Sequence, residues 1–181
     1  NTKLNKKQFS KKIIVPFCPE SKLSGIEHTD FIQEMYYQRS FSIPKSWKNK
    51  KIILHFGGVD YETTVFVNKK KVGLNSGGST PFSFDITDVL FEKGNNDLKL
   101  YIIDKMCQGS PEPKYDYEGK NAFREYKDRK NWVLNKKRFQ PRGKQSTFKH
   151  SYGCYYTRTT GIWQTVWLEA VDKEKEMEKK I

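Results

Sequence analysis

Almost every apolar run in this chain is short, alternates with a period of two, and stops at a proline, glycine, asparagine or lysine cluster. Successive side chains of an extended backbone point to opposite faces, so such runs call for sheets with one buried and one wet face. "MYYQRSFSIP" sets Tyr37, Arg39 and Phe41 against Tyr36, Gln38 and Ser40, and ends at Pro44, whose missing N–H stops a ladder. "KKIILHF" puts Ile52, Leu54 and Phe56 on one side and Ile53 and His55 on the other. In "YETTVFVN", Tyr61, Thr63, Val65 and Val67 share one face and Glu62, Thr64, Phe66 and Asn68 the opposite one. "NKKK" turns that run into "KVGLN", so residues 61–75 read as a hairpin.

The rest of the chain follows the same grammar. "KKIIVPF" is a first run closed by Pro16. "SGGSTPFSFDITDVL" is a glycine-rich turn, a strand and a single helical turn that begins near Thr87 and is released by Gly94. "DLKLYIID" alternates again. "GIWQTVWLEAV" is the last strong strand, with Trp163, Thr165 and Trp167 opposite Ile162, Gln164, Val166 and Leu168. Seven or more closely spaced strands, with barely any helical periodicity, predict an antiparallel all-β sandwich or jelly roll.

A chain of 181 residues is long enough for one domain with a sizeable core. That domain is expected over residues 11–171, with a long loop at 105–154 rich in Lys, Arg, Tyr and Pro, and a charged tail or linker start at 172–181. Aromatics at 14% and charges at 30% describe a globular chain with a polar surface. No apolar run approaches the roughly 18 residues a membrane span requires. "NTKLNKKQFSKK" lacks the apolar centre of a signal peptide, which favours a cytoplasmic location.

The net charge of +13 permits an anionic partner, because a basic field attracts phosphate from a distance. The lysines sit in turns and loops rather than in a stripe, however, and no helix-turn-helix, zinc finger or RNA-recognition signature is present, so nucleic acid is not the favoured partner. Three distant cysteines, Cys18, Cys107 and Cys154, without a C-x-x-C, point away from a disulfide framework or a zinc site. His150 and Cys154 read as an incidental neighbour pair. No metal or cofactor is expected.

Among residues with chemistry to offer, Asp60 stands at a strand mouth after the Gly57–Gly58 pair. Were Asp60 and Glu62 on one strand, they would point the same way about 6 to 7 Å apart. Carboxyl pairs of glycosidases sit about 5 to 5.5 Å apart for retention and about 6.5 to 9.5 Å for inversion, but acids on one strand face are also common surface decoration. Aromatic planes suit the apolar C–H faces of sugar rings, while carboxylates, amides and guanidinium groups take their hydroxyls. Strand periodicity already accounts for Trp163 and Trp167 as core or surface fillers. Trp132 sits in the long loop, where Tyr115, Tyr117, Phe123 and Tyr126 interleave with basic residues. That loop reads first as a lid on a neighbouring domain, with a stacking platform for single-stranded nucleic acid and a mobile surface excursion as the alternatives.

Several words of the sequence occur together in a telling order: "IIVPFCPESKLSGI", "YYQRSFSIP", "LHFGGVDYETTVFVNKKKVG", "GGSTPFSFDITDVL", "GNNDLKLYIID", "PRGKQ" and "YYTRTTGIWQTVWLEAV". From about Ile13 to Val171 the chain resembles the N-terminal sugar-binding domain of glycoside hydrolase family 2, which includes β-galactosidases, β-glucuronidases and β-mannosidases. The resemblance implies a jelly-roll fold and a parent that is a retaining glycosidase, β-galactosidase-like. It implies that the two catalytic glutamates lie on a separate (β/α)8 barrel of about 250 residues, so that this chain carries no catalytic residue of its own. It further implies that Asp60 accepts hydrogen bonds from a sugar hydroxyl at the active-site rim, and that Arg142, Lys144 and Gln145 of "PRGKQ" face the barrel and its substrate. "YYTRTT" lacks the acidic metal contact found there in some β-galactosidases, so neither a sodium site nor a galactose preference carries over. The expected partners are carbohydrate, the downstream domains of the same chain and a possible second copy. A stand-alone carbohydrate-binding module and a basic nucleic-acid binder remain the alternatives.

Overall fold

The computed structural model describes residues 11–30, 32–104, 144–145, 151 and 153–172. The chain divides into two compact units, Asn1–Asp104 with Thr159–Ile181, and Lys105–Arg158. In the first unit the strands are β1 (Glu34–Phe41), β2 (Lys51–Phe56), β3 (Val59–Asp60), β4 (Glu62–Val67), β5 (Lys70–Ser76), β6 (Phe82–Asp85), β7 (Asn96–Ile103), β8 (Gly161–Ile162) and β9 (Val166–Val171). They form a four-stranded sheet in the order β1-β7-β4-β5, a three-stranded sheet β6-β2-β9 and a two-stranded ribbon β3-β8. Every pairing among these strands is antiparallel.

The alternation read from sequence decides which faces meet. Ile52, Leu54 and Phe56 of β2 are buried, as are Val65 and Val67 of β4 and Leu98, Leu100 and Ile102 of β7. Both larger sheets thus turn their apolar faces into one cluster, closed by Val59, Ile86 and Ile162. This is an antiparallel β-sandwich. Gly73 on β5 lies under the Phe84 ring of β6, and a Cβ at position 73 would collide with that ring.

The predicted hairpin forms with a two-residue loop, Asn68–Lys69, both at positive φ, the geometry that matches the twist of paired strands. Asn68 locks this loop to its neighbours. Its Nδ2 donates to Val89 O and Asn96 Oδ1, both at 2.7 Å, and its Oδ1 accepts the Asp97 N–H at 2.9 Å. The single helical turn falls at Thr87–Val89, where the Asp85 carboxylate accepts from the Thr87 N–H at 2.9 Å.

Three expectations are corrected. "KKIIVPF" forms no strand over residues 11–17; Ile14 instead donates its N–H to Ser24 O across a folded-back loop. "GIWQTVWLEAV" is two strands, because β8 pairs with β3 while β9 pairs with β2, and residues 163–165 bridge the two sheets. Asp60 and Glu62 do not share a strand. Asp60 belongs to the β3-β8 ribbon, whereas Glu62 opens β4 opposite Ser76 and Ile103.

In the second unit, Gln145 and Tyr156 form an isolated parallel bridge, and Tyr156 donates its N–H to Lys144 O at 2.7 Å. Trp132, the aromatics at 115–126, Cys107 and His150 lie outside the described residues, so the lid and stacking readings of the long loop do too.

Candidate functional site

The glycine pair before Asp60 is explained by close approach. A Cβ on Gly57 would stand 2.8 Å from Gln164 Cβ, and one on Gly58 would stand 3.0 Å from Trp163 Nε1. Gly57 also donates its N–H to Thr165 O at 2.9 Å. With side chains removed at both positions, the chain leaving β2 can run directly against residues 163–165 and deliver Asp60 to the ribbon.

There Asp60 pairs with Gly161 and Val59 with Ile162. The Asp60 side chain is only 2% exposed. Its carboxylate packs against Gly78, where a Cβ would come within 2.8 Å of Asp60 Cγ and 3.0 Å of either oxygen. Gly78 in turn accepts the Trp163 indole N–H on its carbonyl at 2.7 Å. One carboxylate is therefore held between a strand pair and the 77–78 turn, with an indole fixing that turn from behind. The sequence pictured this group reaching outward; within this chain it is enclosed.

A second tier of polar groups supports β8. Glu20 accepts from Thr160 twice, from Oγ1 at 2.6 Å and from the backbone N–H at 3.3 Å. Tyr37 accepts the Ile162 N–H on its hydroxyl at 3.4 Å, and a Cβ on Gly161, whose φ is +72°, would strike Tyr37 and Met35. Burial drives the Tyr37 phenol well above its ordinary value, an effect the Ile162 N–H partly opposes. Burial, reinforced by the Glu20 carboxylate, pushes the Cys18 thiol up to about 11.

Of the residues expected from sequence, Asp60 is thus in the ribbon, and Lys144 (exposed) and Gln145 (half-buried) are in the second unit. Arg142 lies outside the described residues. Glu20, Gly78, Thr160, Gly161 and Trp163 were not singled out as site residues. Glu20 stood in the telling word "PES", and Gly78 in "SGGS", but nothing local in either word says which strand it will meet. Among the described residues no group of three or more His, Cys, Asp or Glu could hold a metal ion.

Within an antiparallel sandwich, the Asp60 carboxylate is enclosed at the β3-β8 ribbon. Residues 20–110 match the family model for the sugar-binding domain of glycosyl hydrolases family 2. The chain belongs to that family. It is 42% identical over 55 residues to a β-galactosidase of Thermoanaerobacter pseudethanolicus, a stretch covering 30% of this chain and 7% of that protein. It is 30% identical over 73 residues to a β-glucuronidase of Paenibacillus borealis, covering 40% and 12%. The solved structure of a Bifidobacterium dentium β-glucuronidase complexed with coumarin-3-O-glucuronide superposes with a TM-score of 0.57 at 21% identity, over 88% of this chain and 25% of that one, a likeness of fold. The chain therefore spans only a small part of the relatives it matches.

Proposed function

We infer that this chain is the sugar-binding sandwich of a larger retaining glycosidase, β-galactosidase-like, in which it packs on a catalytic barrel and contributes Asp60 to substrate recognition. The observation that carries this reading is the match of residues 20–110 to the sugar-binding domain of glycosyl hydrolases family 2; Asp60, in the ribbon among Gly57, Gly58, Gly78 and Gly161, is the group this reading assigns to substrate. An ionised carboxylate only accepts hydrogen bonds, which suits donors such as sugar hydroxyls. The small share of each relative that the chain covers supports a module over a free-standing binder. In the same reading Arg142, Lys144 and Gln145 face the barrel.

The test is turnover of chromogenic β-galactosides and β-glucuronides by the full-length protein with and without Asp60→Asn, which keeps the shape and removes the charge. The expected result is a raised KM or lowered kcat. Kinetics equal to wild type on every cleaved sugar would remove Asp60 from substrate recognition.

A further inference from the structure

The face of the three-stranded sheet that turns away from the core carries an aromatic arrangement that neither the fold nor the Asp60 ribbon uses. In β2 and β9 the alternate residues Ile52, Leu54, Phe56, Val166 and Leu168 join the core, so His55, Trp167 and Glu169 project from the opposite side. His55 lies directly across from Trp167 in the register, and the two rings stack with centroids 4.8 Å apart and planes 7° from parallel. On its polar edge the imidazole meets Glu169, with Nε2 2.9 Å from Oε2. Ser83 of β6 sits on the other side of His55, and Asp85 and Glu169 flank Ile53 in the next row.

Stacking fixes which way the indole looks. With His55 covering the face toward β2, the other face of Trp167 is directed past β9, the outer strand of the order β6-β2-β9 among the described residues, and the residue stays 42% exposed. The Glu169 side chain is 56% exposed while it holds the imidazole, so a positioned carboxylate opens to water beside a positioned aromatic plane. Cross-strand pairs of this kind also stabilise a sheet, but the covered face of the indole serves that role by itself. A flat apolar plate beside a hydrogen-bond acceptor matches a sugar ring, whose C–H groups pack on an aromatic plane and whose hydroxyls donate to a carboxylate. Because both groups are already held, little side-chain freedom is lost on binding. Charge narrows the ligand further. On a chain of net charge +13, this face sets Asp85 and Glu169 against Lys51. Phosphates and uronate carboxylates would meet like charge there, so the face suits a neutral glycan.

We propose that Trp167, Glu169 and His55 form a carbohydrate site separate from Asp60, on the outer face of the β6-β2-β9 sheet, which holds a neutral sugar residue of a longer glycan. Trp167 supplies the stacking plane, Glu169 accepts a ring hydroxyl, and His55 positions both. The site lies on a different sheet from Asp60, and it stands whether or not Asp60 touches substrate.

The experiment is electrophoresis of the full-length protein through native gels that contain galactan, xylan or polygalacturonate, with Trp167→Thr, Trp167→Tyr, Glu169→Ala and Asp60→Asn run beside wild type. The expected result is retardation of wild type by a neutral polymer, weakened about ten-fold or more in Trp167→Thr and largely kept in Trp167→Tyr. Threonine preserves the strand preference of position 167. Should that variant still melt at a lower temperature, Glu169→Ala, which leaves the indole in place, decides, with binding weakened several-fold expected. Retardation of wild type by neither neutral polymer, or equal retardation of wild type and the variants at 167 and 169, would overturn the proposal. So would retardation lost in Asp60→Asn and kept in Trp167→Thr, which would place all glycan binding at the ribbon. Retardation by polygalacturonate alone would overturn the neutral ligand. The readout does not depend on turnover, so the Asp60 reading and this one stand or fall separately.

Discussion

At the scale of single residues, the chain uses polar side chains as fasteners whose strength depends on what surrounds them. Tyr101 donates its phenol O–H to Glu34 at 2.8 Å, and that hydrogen bond, reinforced by partial desolvation and the carboxylate's charge, pushes the phenol up to about 12. The pair holds only while the phenol is protonated. Its contribution to stability is complete below the ordinary tyrosine value of about 10 and is lost as pH rises through about 12. Glu34→Ala should bring the titration of Tyr101, followed by ultraviolet absorbance, back toward the ordinary value; an unmoved curve would show that the carboxylate is not the cause. Asp60 is the opposite kind of residue. A sequence reader sees an acid after two glycines and expects mobility and reach. What the glycines supply is contact, since side chains at 57, 58 and 78 would each run into the 163–164 segment or into Asp60 itself.

At the scale of elements, period-two alternation was readable and correct wherever both faces of a strand had ordinary neighbours. β2, β4 and β7 each bury every second residue, as their spelling predicts. The reading failed where a strand changes partner. The final run alternates without interruption in sequence, but Gly161–Ile162 answers β3 and Val166–Val171 answers β2, and no alternation signal marks the crossing. Gly73 is the other position that strand spelling leaves unexplained. It opposes Val65 where the register between β4 and β5 shifts, and it makes room for Phe84 from the facing sheet. Gly73→Ala forces that ring or the β5 backbone to move, which for an overpacked core costs about 1 to 3 kcal/mol. Thermal unfolding should show a clearly lowered melting temperature, recovered in part by Phe84→Leu. A wild-type melting temperature for the single variant would mean that the sheets separate freely there.

At the scale of the whole molecule, the separation of Asp60 from Glu62 has a catalytic consequence. The two acids lie in different sheets, and the one in the ribbon is enclosed, so they do not form the same-face pair that one shared strand would have made. The 181-residue chain incubated alone with 4-nitrophenyl glycosides should release no more nitrophenol than buffer. Release by the isolated chain at a rate that scales with its concentration would place chemistry inside the sandwich and end the modular reading. Membership in the family was legible from sequence because ordered words, spread along the chain, are specific together where each alone is weak. The roles of Arg142, Lys144 and Gln145 were not, since a short word such as "PRGKQ" does not say what its side chains face.

What the sequence determined by itself is most of the strands, the hairpin at 61–75 and the buried faces of β2, β4 and β7. Side-chain alternation and turn preference are local properties, fixed by a few consecutive residues and by the pleat of an extended backbone. What only the tertiary structure decided is which strands meet: Glu20 on Thr160 across 140 positions, Gly78 against Asp60, Trp163 behind Gly78. Those contacts arise from long-range pairing and from the space that absent side chains leave, and neither quantity is written in any short stretch of residues.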